Sequence, residues 1–515
     1  MPLTINFRAG IDVPDWRVLR PALNASAVGG SLCADLRNSD VRIPLVYHTV
    51  SNVLQNRYNI KNDGWGLIAV PSLAGTFGAG AITIFCPYKG PRGTLAAGGT
   101  QTSVVLSTSL VVAVSTNSLA NRGDGVGYTI RIIGNAAGSS GKTEERKIIS
   151  NTASITPTIT LDSALSFTPI AGDGYEILSG SVMMLGAGTL AAGSWKAFDV
   201  ASCEEYSNLA TTNLPATIGT DSSIVALDEH YVPCGRVPGE GFFGNLISTG
   251  TAAGTITGQA AGGDAGVLAN EWRNFQIRIV EDITTPTAVG QRRRITSHTV
   301  GASPVYTLAS NWAVTPTSGA TFVIELPNYI LRWGETTTTT YTYDVIADSW
   351  STSTFGARGS AIAAGQMAFG SWGLNAVDVT RRAKYSNVFS FRGGASPAID
   401  LLDIAGGANG SWSVLVAIEM GGIAIGAGSC AEYDPVTNNG KYAYIVVGNG
   451  NQFWRFDVFS QKVEEWCQLP AGIQGAAVVG SKMAYSVTIN DTTKIGKLMY
   501  LFNTSTVFMD CIILT

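Results

Sequence analysis

The sequence predicts an all-β protein built from repeated short-strand units, with two copies of one small β-module set into the repeat. Three observations carry this expectation. Strand-period patterning dominates the chain. A gapless duplication joins residues 128–177 to 275–324. Outside the duplication, an aromatic–Asp mark followed by a second aromatic recurs at a steady spacing.

Runs such as YTIRIIG, ATFVIEL, KYAYIVVG and KLMYLFN alternate over a few residues and are rich in β-branched and aromatic side chains. Gly, Asn, Asp or Pro bounds them, as expected for strands joined by tight turns. The best helical candidate, NAVDVTRRAKYSNV near 375–388, is short. Composition agrees: charged residues make up 14%, against about 25% in average soluble proteins. Gly accounts for 60 of the 515 residues, well above the usual ~7%. The surface is therefore expected to be polar through hydroxyls more than through charges.

In the duplication, Tyr128 matches Phe275, and Ile130, Arg131 and Ile132 match Ile277, Arg278 and Ile279. Ile148, Ser150 and Thr152 match Ile295, Ser297 and Thr299, and Thr168-Pro169 matches Thr315-Pro316. Identities fall on alternate positions, which a small sandwich or barrel preserves because one face of each strand packs inward. The Thr-Pro followed by Gly172 or Gly319 marks a turn before the last strand.

With both copies set aside, the mark reads Tyr58-Asn59 with Trp65, Phe198-Asp199 with Tyr206, and Tyr343-Asp344 with Trp350. It continues as Leu402-Asp403 with Trp412 and Phe456-Asp457 with Trp466, and Phe502-Asn503 is read as a degenerate last copy. Each of the two long intervals between marks contains one module. Removing it leaves a period of about 50–60 residues, the length of a four-stranded sheet unit. The expected division is 1–93, 181–249 and 327–515 for the repeat, with the modules at 94–180 and 250–326.

The segment NGKYAYIVVGNGNQFWRFDVFSQKVEEW (439–466) carries this pattern most fully. It resembles a kelch-type blade, and the chain as a whole resembles a kelch-like β-propeller of about six blades, within a range of five to seven. The resemblance implies that the Asp caps a turn and that the aromatic packs between neighbouring blades. It also implies that segment 1–45 supplies a strand closing the ring with the last blade. The double glycine usual in kelch units is missing, and the Asp-to-aromatic spacing varies from 6 to 9. The module, with its R-x-I-x-S-x-T…T-P-x-x-G pattern, is similar to small β-domains inserted in structural proteins of tailed bacteriophages.

Catalytic constellations are scarce. The three histidines (His48, His230, His298) form no H-x-x-x-H or H-E-x-x-H pair, so neither a His-based metal site nor a Ser-His-Asp triad is expected. His298 takes the place of Asn151 in the first copy, which reads as a solvent-facing turn or strand position. Glu144-Glu145 and Glu464-Glu465 are neighbours on strands and point to opposite faces, unlike a glycosidase dyad. GAGTLAAG at 186–193 lacks the strand–turn–helix context of a nucleotide loop. RGD at 122–124 reads as loop, and QRRR at 291–294 as a solvated strand edge guarded by charge. A phosphate or an acidic neighbour is the other reading of QRRR. Seven scattered cysteines fit neither a disulfide framework nor a zinc site and are expected as buried or half-buried free thiols.

Net charge is −4 and no broad basic cluster occurs, so specific nucleic-acid binding is not expected. Neither a membrane span nor a secretory leader is expected, which suggests assembly in a cytoplasm. No enzyme activity and no cofactor or metal are expected. The resemblance implies a structural virion component, such as a ring-forming tail nozzle or head–tail interface protein. Its implied partners are further copies of itself, a hexamer suiting a tail ring, with portal, adaptor or tail fibre. The alternatives are a host-surface or glycan-binding propeller, for receptor binding or capsid decoration, and an enzyme such as a depolymerase.

Overall fold

A computed structural model describes residues 81–86, 89–121, 127–201, 206–219, 222–227, 245–258, 269–301, 303–334, 336–363, 367–372, 386–394, 396–415, 425–434, 441–448, 452–458 and 460–468. It also describes the backbone of strands at 16–18, 31–34, 45–51, 54–59, 64–69, 482–490, 494–502 and 509–514. The expected helix at 375–388 falls mostly outside these residues.

After β1 (Trp16–Val18), the strands β2 (Ser31–Ala34), β3 (Leu45–Ser51), β4 (Leu54–Asn59) and β5 (Gly64–Ala69) form sheet I in that order. Sheet II begins with β6 (Ile82–Cys86). The chain then leaves through the first module: β7 (Arg92–Thr94), β8 (Ser103–Val105), β9 (Thr129–Ile133), β10 (Thr143–Asn151), β11 (Thr158–Leu161) and β12 (Gly174–Ile177). It returns with β13 (Ser181–Leu185), a two-residue β14 (Gly188–Thr189), β15 (Trp195–Asp199) and β16 (Tyr206–Asn208). Sheet II has the order β6-β13-β15-β16, and β14 pairs with β17 (Thr217–Ile218) beside it.

Sheet III repeats the arrangement. β18 (Ser222–Ala226) leads into the second module: β19 (Asn245–Ala252), β20 (Thr255–Gly258), β21 (Gln276–Glu281), β22 (Arg292–His298), β23 (Val305–Leu308) and β24 (Thr321–Glu325). β25 (Tyr329–Gly334), β26 (Tyr341–Asp344) and β27 (Ser349–Ser351) complete the sheet. Sheet IV contains β28 (Met367–Trp372), β29 (Ser386–Gly393), β30 (Ser396–Asp403) and β31 (Ser411–Leu415). Sheet V contains β32 (Cys430–Tyr433), β33 (Tyr442–Val446), β34 (Gln452–Asp457) and β35 (Lys462–Gln468). Sheet VI has β36 (Lys482–Asn490), β37 (Lys494–Phe502) and β38 (Met509–Leu514), and β1 is its fourth strand.

The first strands of these sheets lie side by side. β6 touches β2 and β18, β28 touches β18 and β32, and β36 touches β32 and β2. Six four-stranded sheets among the described residues thus close a ring around one axis. The fold is a six-bladed β-propeller.

Closure comes from both ends of the chain, because β1 pairs with β38 through Trp16↔Ile512, Arg17↔Cys511 and Val18↔Asp510. The packing follows from the stacking of blades. Middle strands such as β13 (SVMML) and β33 (YAYIV) are buried along their whole length, sandwiched between neighbouring sheets. The outermost β31 is mostly open.

In the modules some strands alternate in and out, as in β11 and β20, whereas β9 and β21 are buried over four successive residues. The second is a closed barrel of order β19-β20-β23-β22-β21-β24. The first has the matching order β7-β12-β9-β10-β11-β8. Its ends meet at the Leu95↔Leu106 bridge, where Ala96 N–H donates to Val105 O (2.8 Å) and Ser107 N–H to Thr94 O (2.9 Å). Strands span 92–177 in the first barrel and 245–325 in the second, so residue 250 lies inside β19 rather than at a boundary. Each barrel sits in the hairpin between the first and second strands of its blade, and the two blades adjoin.

One repeat assignment is corrected. Phe502 ends β37, the second strand of its blade, whereas the other marks end third strands. The third strand here is β38, and β1 supplies the fourth.

Candidate functional site: blade marks and paired barrels

Each mark lies on a third strand and its turn. In four blades the residue before the Asp or Asn stands opposite the following aromatic: Tyr58↔Trp65, Phe198↔Tyr206, Tyr343↔Trp350 and Leu402↔Trp412. For Tyr58, Trp65 and Tyr206 the backbone alone is described.

The aspartates accept backbone N–H groups of their own turns. Asp344 Oδ1 takes those of Ile346 and Ala347 (both 2.9 Å). Asp199 takes Ala201 (3.0 Å), Asp403 takes Ala405 (3.0 Å) and Asp457 takes Ser460 (3.1 Å). This pre-empts the peptide donors that a tight turn leaves unpaired.

The aromatics fill gaps between blades. Trp350, 3% exposed, meets Trp195 of blade II at 5.6 Å, and Tyr343 meets the same ring edge-on at 5.4 Å. The Tyr343 hydroxyl donates to Asp348 (2.6 Å), and burial with this bond pushes its pKa up. Trp412 stands edge-on to Trp333 of blade III (5.7 Å) and donates its indole N–H to Gly356 O (2.9 Å).

Blade V differs. Phe456, the residue before the Asp, packs on Phe389 (5.1 Å) and Phe369 (6.0 Å) of blade IV. Trp466 stacks instead on Tyr444 (5.1 Å) and Phe453 (5.8 Å) of its own blade. Phe456 faces Val463, and a bulge between Phe453 and Trp454 shifts the register beyond it.

The barrels share an internal corner. In the first, Asn151 N–H donates to Asn117 Oδ1 (3.2 Å), and Asn151 Oδ1 accepts Leu119 N–H (2.9 Å). In the second, His298 N–H donates to Asn270 Oδ1 (2.9 Å), and His298 Nε2 accepts Trp272 N–H (2.9 Å). Nδ1 lies 3.0 Å from Thr299 O and donates to it. His298 is therefore a buried neutral imidazole rather than the solvent-facing residue expected, and burial lowers its pKa.

QRRR also departs from expectation. Its arginines lie on β22, which pairs on both sides with β21 and β23 and is not an edge. Arg292 bonds Glu176 of the first barrel (3.2 Å), Arg293 covers Trp312 (5.3 Å), and Arg294 bonds Asn274 (3.0 Å).

Between the barrels, Lys142 bridges Glu281, Asp282 N–H donates to Gly141 O (2.8 Å), and Asn135 Nδ2 reaches Val289 O (3.4 Å). Gly141 has φ +70°, and a Cβ there would lie 2.1 Å from Asp282 O. Glycine thus permits both the turn and the close approach. The carboxylates of Glu144 and Glu145 diverge as expected, to Arg146 and Arg131 respectively. Among carboxyls elsewhere, burial raises Asp403, in its blade IV turn, and Glu432 on β32, the latter to about 8.

Cys33, Cys86 and Cys430 are buried and Cys467 is half-buried. RGD at 122–124, His230 and the side chain of His48 lie outside the described residues. Among the described residues no group of three or more metal-ligating side chains occurs, and no helix is long and apolar enough to cross a membrane. The inter-barrel contact was the feature missed from sequence. Its only signal was the pairing of Glu145 with Arg292 in the gapless duplication.

No family model and no curated protein matches the chain. Among solved structures, a chain of the mitotic checkpoint complex is similar at 10% identity and TM-score 0.33, over 100% of this chain and 97% of that one. A triple arginine-to-alanine mutant of AofleA from Arthrobotrys oligospora is similar at 9% identity and TM-score 0.32, over 97% and 86%. Apo AztD from Citrobacter koseri is similar at 8% identity and TM-score 0.26, over 96% and 93%. Likeness at this level does not bear on function, and the propeller assignment rests on the sheet topology.

Proposed function

We propose that the protein is a structural component of a tailed-phage virion, a ring-forming tail nozzle or head–tail interface protein. The observation that carries this reading is the mounting of the barrels. Two copies of one module sit in the equivalent hairpins of adjacent blades and are bonded to each other, so the propeller presents them as one composite projection. A closed, charge-poor ring bearing such a projection suits a wall element that meets neighbouring copies and other virion proteins through broad, close-packed contacts. The assembly role needs no catalytic group, cofactor or metal. Exposed Ile149 and Val300 on the barrels suit contact with a neighbour.

The test is association. The purified protein should self-assemble at high concentration and co-sediment with portal or tail components. A protein that stays monomeric and binds neither overturns the reading. Saturable binding of labelled protein to host cells, without self-assembly, would favour the host-surface or glycan-binding alternative. Hydrolysis of host polysaccharide, lost on substitution of specific carboxylates, would make it an enzyme.

A further inference from the structure

The contact between the barrels is made from equivalent parts of both. At the duplication offset, residues 281–283 of the second copy correspond to 134–136 of the first, and 289–290 correspond to 142–143. Segment 141–142 of the first barrel meets 281–283 of the second, and segment 133–135 of the first meets 289–290 of the second. Position i of one copy meets position j of the other, and j meets i. This is the reciprocity of a two-fold interface, here built between two halves of one chain. Nothing in such backbone contacts says which copy should be the partner, since an identical barrel presents the same segments.

The side chains do say. In the first barrel Glu176, Arg131 and Glu145 stand in one row across β12, β9 and β10. In the second the corresponding row is Val323, Arg278 and Arg292 across β24, β21 and β22. Arg131 bonds Glu145 (2.8 Å) and Glu176 (2.7 Å), and Arg92 of β7 stands beside Glu176 on its other side. Arg278 bonds Glu325 (3.1 Å), and Arg292 lies 3.8 Å from the same carboxylate. Two arginines thus share Glu325, whose place in the first barrel is taken by Leu178. The link across the interface is Arg292 to Glu176, with both side chains 14% exposed.

We propose that the module is a self-pairing unit by shape, and that its partner in this chain is selected by the charge reversal between Glu145 and Arg292. Two first-type barrels would bring Glu145 of one toward Glu176 of the other. Two second-type barrels would bring Arg292 toward an apolar valine. Only the mixed pair sets Arg292 against a carboxylate, Glu176, with both side chains largely dehydrated. There an unmatched charge is costly and a like charge is excluded. Glu145 and Arg292 are thus specificity-determining residues of an internal docking surface. They direct a first-type barrel to a second-type barrel, which the adjacent blade of the same chain supplies.

Hydrogen exchange in the full-length protein tests this, read at the Asp282 amide, which bonds across the interface, with Ile277 and Ile295 as reporters of the barrel's own fold. In Arg292→Glu the Asp282 amide should exchange roughly tenfold faster while the reporters keep their protection. Arg292→Gln, gentler on folding, should give a smaller increase in the same direction. Combining Arg292→Glu with Glu176→Arg reverses the ion pair across the interface and should return the rate close to wild type. Unchanged exchange in Arg292→Glu and Arg292→Gln overturns the proposal. So does a double variant as fast as the single, because a merely structural role for Arg292 predicts no rescue.

Discussion

Trp350 and Asp344 show how one mark divides its work. The indole ring is enclosed by Trp195 and Tyr343, so its loss leaves a cavity between blades II and III. Trp350→Ala should destabilise by about 3–5 kcal/mol, read as a fall in the denaturant midpoint. Asp344→Ala removes an acceptor from two turn amides that water can then reach, and should cost about 1 kcal/mol. His298 adds a pH dependence. Its folded pKa lies below the unfolded value of about 6.5. The unfolded chain therefore takes up the proton first as pH falls, and stability is full above about pH 6.5 and declines below it. Protonation of Nε2 would also abolish acceptance of the Trp272 amide. His298→Asn, which installs the residue of the first copy, should remove this decline when melting temperatures at pH 7.5 and 5.5 are compared. An unchanged decline would refute the assignment. The position was misread from sequence because its partners lie on a distant segment, 26 residues away for Trp272.

At the scale of elements, third strands were legible because they end in an aromatic or leucine, an Asp and a turn, and that text is local. The same text misplaced Phe502. An aromatic–Asn at the end of a second strand looks no different, and only the pairing of β37 between β36 and β38 separates them. Trp466 was misassigned for a related reason: the turn after Asp457 is shorter than the one after Asp403, so Val463 and not Trp466 faces Phe456. The barrels were legible as small β-modules from alternate identities. Their closure was not, because the two strands that close each barrel, β7 with β8 and β19 with β20, lie outside the duplicated 128–177 and 275–324 segments. The inter-barrel charge row lay in plain view in the duplication, but sequence spacing does not tell which barrel face turns toward the other.

For the whole molecule, ring closure depends on three residues of β1 pairing with the last strand of the chain. Removing residues 1–30 should expose the edge of β38 and open the ring between blades I and VI. Faster hydrogen exchange confined first to β36–β38 and β2–β5 would be the signature, and uniform protection would contradict the closure. Location in a particle decides the proposed assembly role. Electron cryo-microscopy of the particle that this proposal implies is the most direct measurement. The account predicts a ring of these propellers at the tail or head–tail interface, with the barrel pairs against neighbouring subunits or projecting toward the host side. A particle without such a ring, with the propeller absent or held only as isolated copies, would contradict it.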